Sequence, residues 1–185
     1  MHTDERRWQA VEEIVNDRRL ELSLGDRLTA EQAAVSFLTY ADARPDYTPV
    51  KGWKDDDERK KQLILAYASE IGVAKKLKKQ WNGVNTGKRH ADVGDNIEVR
   101  WTSTEYAIIY DYDRDTDIIF VVKGASINDL YIVGFMPVQM AKVDAYRKER
   151  EGLPVNWFVP LSKLYTYLPN NRAVTAFIDR FSALL

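Results

Sequence analysis

Three acidic residues stand where an acid is costly unless it has a partner. Glu70 shares its helical face with Leu63, Tyr67, Ala74 and Leu77, at offsets of three, four and seven. A carboxylate on a core-facing stripe needs a counter-charge or a cation; the plainer alternatives are a boundary residue reaching solvent or a partner to a buried arginine. Glu98 lies in Ile97-Glu98-Val99-Arg100-Trp101-Thr102, where a period of two puts Ile97, Val99 and Trp101 on one side and Glu98, Arg100 and Thr102 on the other. Its plain alternative is a solvent-facing Glu–Arg pair. Asp92 precedes Val93-Gly94 and, across a tight turn, would come near Glu98; its plain alternative is a turn aspartate, as Asp95 is read. Together they could supply a hard, oxygen-rich site for a divalent cation.

The elements that must position these acids can be traced along the chain. Arg6 to Leu22 reads as a helix that Gly25 and Asp26 break. Thr29 and Gln32 fit a capping box for a helix from Ala30 to about Ala43. A Pro-, Gly- and charge-rich loop follows. The spacing then predicts a long helix from about Asp57 to Gln80, closed by Trp81-Asn82-Gly83, with a turn at Asn85, Thr86 and Gly87. His90–Val93 and Ile97–Ser103 read as strands joined by Gly94-Asp95-Asn96. Tyr106–Asp111, Ile118–Lys123 and Leu130–Phe135 read as further strands, the second of them buried. Pro137 is expected to open a helix to about Glu151, followed by a short strand or loop at Trp157–Val159, a short segment after Pro160 and a last helix from about Arg172 to Leu184. The order implies α+β or α/β architecture with a mostly consecutive sheet.

Composition narrows the chemistry. The 185 residues contain no cysteine and two histidines, His2 and His90. Thiolate zinc sites, disulfides and cysteine nucleophiles are excluded, and an ion site has to rest on oxygen ligands: Mg²⁺, Mn²⁺ or Ca²⁺. The charged N-terminus carries no apolar signal segment, and no run reaches membrane-span length, which points to the cytoplasm and no membrane partner. The net charge of −1 argues against a protein that coats DNA, and less against a nuclease with a local basic groove. Lys75, Lys76, Lys78 and Lys79 crowd the end of the Glu70 helix, and Lys88, Arg89 and His90 lead towards Asp92; both groups could hold phosphate, or could simply complement a helix C-terminus. Lys142, Arg147, Lys148 and Arg150 read as a basic helix face, more often solvated than a groove, and Gln139 or Lys142, just after the Tyr131–Phe135 strand, could reach the acids on position alone. Tyr106, Tyr110, Trp157 and Tyr165 could stack on bases, although strand aromatics usually belong to a core.

The combination of a helix with Glu, an Asp at a turn and a strand with Glu-x-basic resembles the PD-(D/E)XK nuclease superfamily. The likeness is carried by SEIGVAKKL (Ser69–Leu77), ADVGDNIEVRWTS (Ala91–Ser103), IIFVVKG (Ile118–Gly124) and LYIVGF (Leu130–Phe135). The chain looks especially like small phage and bacterial members with E-V-R in place of E-x-K, and the resemblance spans about residues 60 to 168. The resemblance implies a restriction-endonuclease-like core over residues 56–185, with a central mixed sheet of four to five strands flanked by helices, and a helical extension over 1–55. It implies that Asp92 and Glu98 hold Mg²⁺ or Mn²⁺ beside the Val99 carbonyl, that Glu70 completes the site, and that the substrate is DNA, with a homodimer possible and the host cytoplasm as the setting if the protein is phage-encoded. Arg100 stands where the family has lysine. An arginine stays protonated and cannot act as a general base, but can hold phosphate bidentately. An inactive relative that binds nucleic acid or a defence protein is the alternative, and a purely structural or interaction protein is a third.

Overall fold

The computed structural model describes residues 18–43, 55–84, 90–150 and 153–167, with Ala176. Within them the chain forms helix α1 (Leu24–Asp42), helix α2 (Asp56–Leu77), strands β1 (Ile97–Trp101), β2 (Tyr106–Tyr110), β3 (Ile118–Lys123) and β4 (Tyr131–Pro137), a short helix α3 (Val138–Ala141), and strands β5 (Arg147–Arg150) and β6 (Leu153–Pro160). Single 3₁₀ turns precede β5 and follow β6. The fold is α+β.

Both long helices start on side-chain caps. Ser23 and Asp26 form a capping box, each side chain accepting from the other residue's backbone N–H (2.7 and 3.2 Å). This corrects the expected Thr29–Gln32 box: Gly25 and Asp26 belong to the first turn of α1, and Thr29 donates its hydroxyl to the Gly25 carbonyl from inside the helix. Residues 19–22 are not helical either. Arg19 bridges Tyr131, and the Leu20 N–H donates to the Leu130 carbonyl. Asp55 caps α2, whose first turn carries Asp56, Asp57 and Glu58 and whose last turn carries Lys75 and Lys76, matching the helix dipole. Lys78 closes α2 in the left-handed conformation (φ 54°).

From Tyr67 to Ala74 every residue of α2 is buried, because α1 covers one side and β1 the other. Gly72 permits this close packing: a Cβ there would lie 2.8 Å from Leu20 Cδ1.

The strands divide into two three-stranded sheets, ordered β1-β3-β4 and β2-β6-β5. The expected single sheet of four to five strands is therefore corrected. The hydroxyls of Thr102 and Thr104 donate to the Tyr106 carbonyl and turn the chain out of the first sheet after β1, so β2 pairs with β6 instead. The β1–β3 pair is parallel, with β2 in the crossover between them, and β3 is antiparallel to β4. The expected helix over 137–151 shrinks to Val138–Ala141. Residues 147–150 become β5 because β6 offers them a ladder, and tertiary pairing overrides a weak local preference.

The first sheet is packed on both faces. Ile97, Val99, Ile118, Phe120 and Val122 join Leu65, Ala68 and Ile71 of α2 in one core that also takes in Leu20, Leu22, Ala30 and Ala34. Ile119, Val121 and Met136 point the other way, against Ala107, Ile109 and Val159 of the second sheet. Burial on both faces explains the uninterrupted apolar run of β3. The 6–17 part of the expected first helix, the expected helix over 172–184 apart from Ala176, the Pro-rich loop over 44–54, the turn at 85–87, and Lys88 and Arg89 lie outside the described residues.

Candidate functional site

The acids meet at β1, an edge strand. Its register with β3 puts Glu98 level with Ile119 and Arg100 level with Val121, on the face turned to the second sheet. Glu70 belongs to the helix on the opposite face. Asp92 joins the two at the strand's edge, where its Oδ2 accepts the Val99 N–H at 2.8 Å.

Residues read only as helix terminators build this edge. Trp81 donates its indole N–H to Glu70 Oε2 at 2.9 Å. The Asn82 side chain donates to the carbonyls of Ala91 and Gly94, and its N–H to that of Asp92. The expected incoming strand over 90–93 reduces to one bridging residue, Val93, paired with both Trp81 and Ile97. Gly94 turns the chain with φ 56°, a conformation that favours glycine. The short Asp92-to-Glu98 gap thus closes as a tight turn.

Arg100 is the centre of the cluster. Its Nη1 lies 3.0 Å from Glu98 Oε2, 3.5 Å from Asp92 Oδ2 and 3.2 Å from the Val99 carbonyl. Its Nη2 lies 2.6 Å from Oδ1 of Asp113, whose side chain is 1% exposed and whose other oxygen accepts the Tyr110 N–H. The guanidinium carbon sits 5.3 Å from the Tyr110 ring centre, and the Nε is buried without a hydrogen-bond partner. Asp113 was legible only as part of a polar loop, since its partner is 13 residues away in another element.

The electrostatics follow from burial. Glu70 is pushed well above the usual carboxylate range, first by burial and then by the Asp92 charge. Asp92 is raised by burial, against the pull of Arg100 and the Val99 N–H. Glu98 rises to about 8: burial drives it, Arg100 opposes it, and Asp92 and Asp113 add to it. The neighbouring Glu98 carboxyl also lowers Asp92, against the effect of burial. Burial disfavours the charge on Arg100, but Asp113, Glu98 and Asp92 outweigh it and hold the guanidinium firmly protonated. Four carboxyl groups, those of Glu70, Asp92, Glu98 and Asp113, lie near one guanidinium, more acids than it can balance, and burial keeps Glu70 and Glu98 protonated where exposed carboxylates are charged.

As the side chains stand, no group of three or more acidic or imidazole residues among the described residues is arranged to hold an ion. The donor set nevertheless suits one. Two carboxylates and a carbonyl converge on a single point, marked by Arg100 Nη1, and all three are the hard oxygen donors that Mg²⁺ or Mn²⁺ prefers.

The basic residues divide. Lys75 projects about 140° around α2 from Glu70, taking 100° per residue, and pairs with Asp26 at 2.5 Å. With Lys76, Arg19 and Arg27 it lines a cleft of about 610 Å³ formed by residues 19–23, the last turns of α2 and the turn at Ile127 and Asn128, away from the acids. Lys78 is exposed at the helix end, and the Lys79 stem packs 3.4 Å from the Cβ position of Gly94, at the acid turn. Lys142 is close by but engaged: its Nζ donates to the carbonyls of Asp111 and Asp113 (3.0 and 2.5 Å) and pairs with Asp115, so it fixes the loop that presents Asp113. Gln139 and His90 are exposed. Tyr106 and Tyr165 are partly exposed, whereas Tyr110 is stacked on Tyr112 and Trp157 lies under Lys142.

No protein-family model matches this chain, and no curated protein or solved structure is significantly similar to it. Its function must be argued from its own residues. No helix among the described residues is long and apolar enough to cross a membrane.

Proposed function

We propose that this chain is a metal-dependent DNA endonuclease of the PD-(D/E)XK type, with Asp92, Glu98 and the Val99 carbonyl as the ligands of Mg²⁺ or Mn²⁺. One observation carries the reading: the oxygens facing Arg100 Nη1 are the ones the resemblance assigns to the metal. When bound, the ion would acidify a water for attack on a phosphodiester and offset the charge that develops there. Asp92 and Glu98 are held for this by the Asn82-braced turn and the β1 ladder. Glu70, oriented by Trp81, places a third acid behind Asp92. Lys79 would bind phosphate as a point charge, and Arg100 through Nη1 alone, since Nη2 is held by Asp113.

The test is cleavage of plasmid and branched DNA by purified protein in Mg²⁺ or Mn²⁺. Nicking that disappears in Glu98→Ala, with the fold intact by circular dichroism, supports the reading. A second reading has its own observation: Arg100 already fills the cation position, as it would in a relative that binds nucleic acid or a partner protein without cutting. DNA binding without cleavage in any divalent metal is the outcome that selects it.

A further inference from the structure

We propose that Arg100 is a placeholder cation: it occupies the ion's position in the metal-free protein, keeps the acids together, and must be displaced for a divalent ion to enter. This rests on the reading of Asp92 and Glu98 as metal ligands and adds a mode of regulation to it. An arginine that served only to pair with Glu98 would be satisfied at one carboxylate. Arg100 instead directs one nitrogen at three oxygens from two segments, 3.0 to 3.5 Å away. Mg²⁺ would need those oxygens at about 2.1 Å, so ion and guanidinium cannot share the position.

The arrangement also provides somewhere for the arginine to go. Nη2 is tied to Asp113, which is buried against the second sheet and takes no part in the Asp92–Glu98 pair. Lys142 pins the Asp113 backbone, and the Tyr110 ring supports the guanidinium from the side. Nη1 can therefore leave the acids while Nη2 keeps its anchor. Asp113 thus acts as a positioning residue for Arg100, and metal affinity is reduced by the fraction of molecules in which the arginine still covers the acids. Removing the arginine should remove that penalty.

The experiment is a Mn²⁺ titration without DNA, reading free Mn²⁺ by electron paramagnetic resonance, on wild type, Arg100→Gln and Glu98→Gln. Arg100→Gln is expected to bind Mn²⁺ about tenfold tighter or better than wild type, and Glu98→Gln to lose the site. Equal or weaker affinity in Arg100→Gln overturns the proposal. That variant leaves the acids without a counter-charge and can fail to fold without metal, so Arg100→Lys, which keeps a charge but loses the fork, is titrated beside it. Tighter binding than wild type is expected there too, with a larger rise in melting temperature on adding Mn²⁺; the absence of both changes overturns the proposal. The nuclease reading fails separately: if the Arg100 variants gain Mn²⁺ affinity while wild type cleaves no DNA in any metal, the placeholder stands and the catalytic claim falls.

Discussion

The two sides of α2 carry charge in opposite ways. On one side Lys75 meets Asp26, Lys76 donates to the Arg19 carbonyl and Arg27 to the Leu22 carbonyl, so each of these cations has a local partner beside a solvent-filled cleft. On the other side Glu70, Asp92, Glu98 and Asp113 gather near Arg100, in a setting where carboxylates resist ionisation. Paired surface charge accounts for itself through solubility and a little stability. Buried acids in excess of the cation beside them are costly to ionise unless something else binds, and that difference separates a packing feature from a candidate site.

The contrast can be broken most forcefully at Glu98. Glu98→Ala should cut DNA cleavage by more than about 100-fold, read from plasmid nicking rates, while Lys75→Ala should leave the rate within about twofold. Equal losses would erase the distinction between the two sides. Next in size is Asp113→Asn, which leaves Arg100 with a weakened anchor in a buried setting; about 3 kcal/mol of stability should be lost, measured by urea unfolding.

Acidity sharpens the comparison. The folded-state value of Glu98, about 8, lies above the 4.5 of an ordinary glutamate. Between those values the native protein holds more protons than the unfolded chain, so the stability of the metal-free protein should fall as pH rises from about 5 to 8. Urea unfolding in EDTA should show this slope, and Glu70→Gln should flatten it by removing a neighbouring acid that is also raised. Stability that rises over that range would contradict the assigned electrostatics. Lys75→Ala should have the smallest effect on folding, under about 1 kcal/mol, as an exposed pair does.

How much of this was legible from sequence depended on whether the signal was local. Glu98 and Arg100 alternate visibly with Val99, and the continuous apolar run announced β3 as a buried strand. Asp92 could be placed near Glu98 because Gly94 makes a tight turn possible. Two sheets in place of one could not be read, because a strand's period does not reveal its partner: Tyr106–Tyr110 looks the same whether it pairs with β1 or with β6. The region after Pro137 was misread as helix for the same reason. Trp81 and Asp113 escaped notice because a tryptophan after a helix and an aspartate in a polar loop acquire meaning only when Glu70 and Arg100 arrive beside them. Lys75 illustrates the converse, since sequence proximity to Glu70 put it near the acids while the helical turn carries it to the other cleft.

The most direct test is anomalous diffraction from crystals soaked in Mn²⁺. The account predicts a peak about 2.1 Å from oxygens of Asp92 and Glu98 and the Val99 carbonyl, with Arg100 Nη1 withdrawn and Nη2 still on Asp113. Arg100 unmoved, with no peak beside these acids at saturating Mn²⁺, would contradict it.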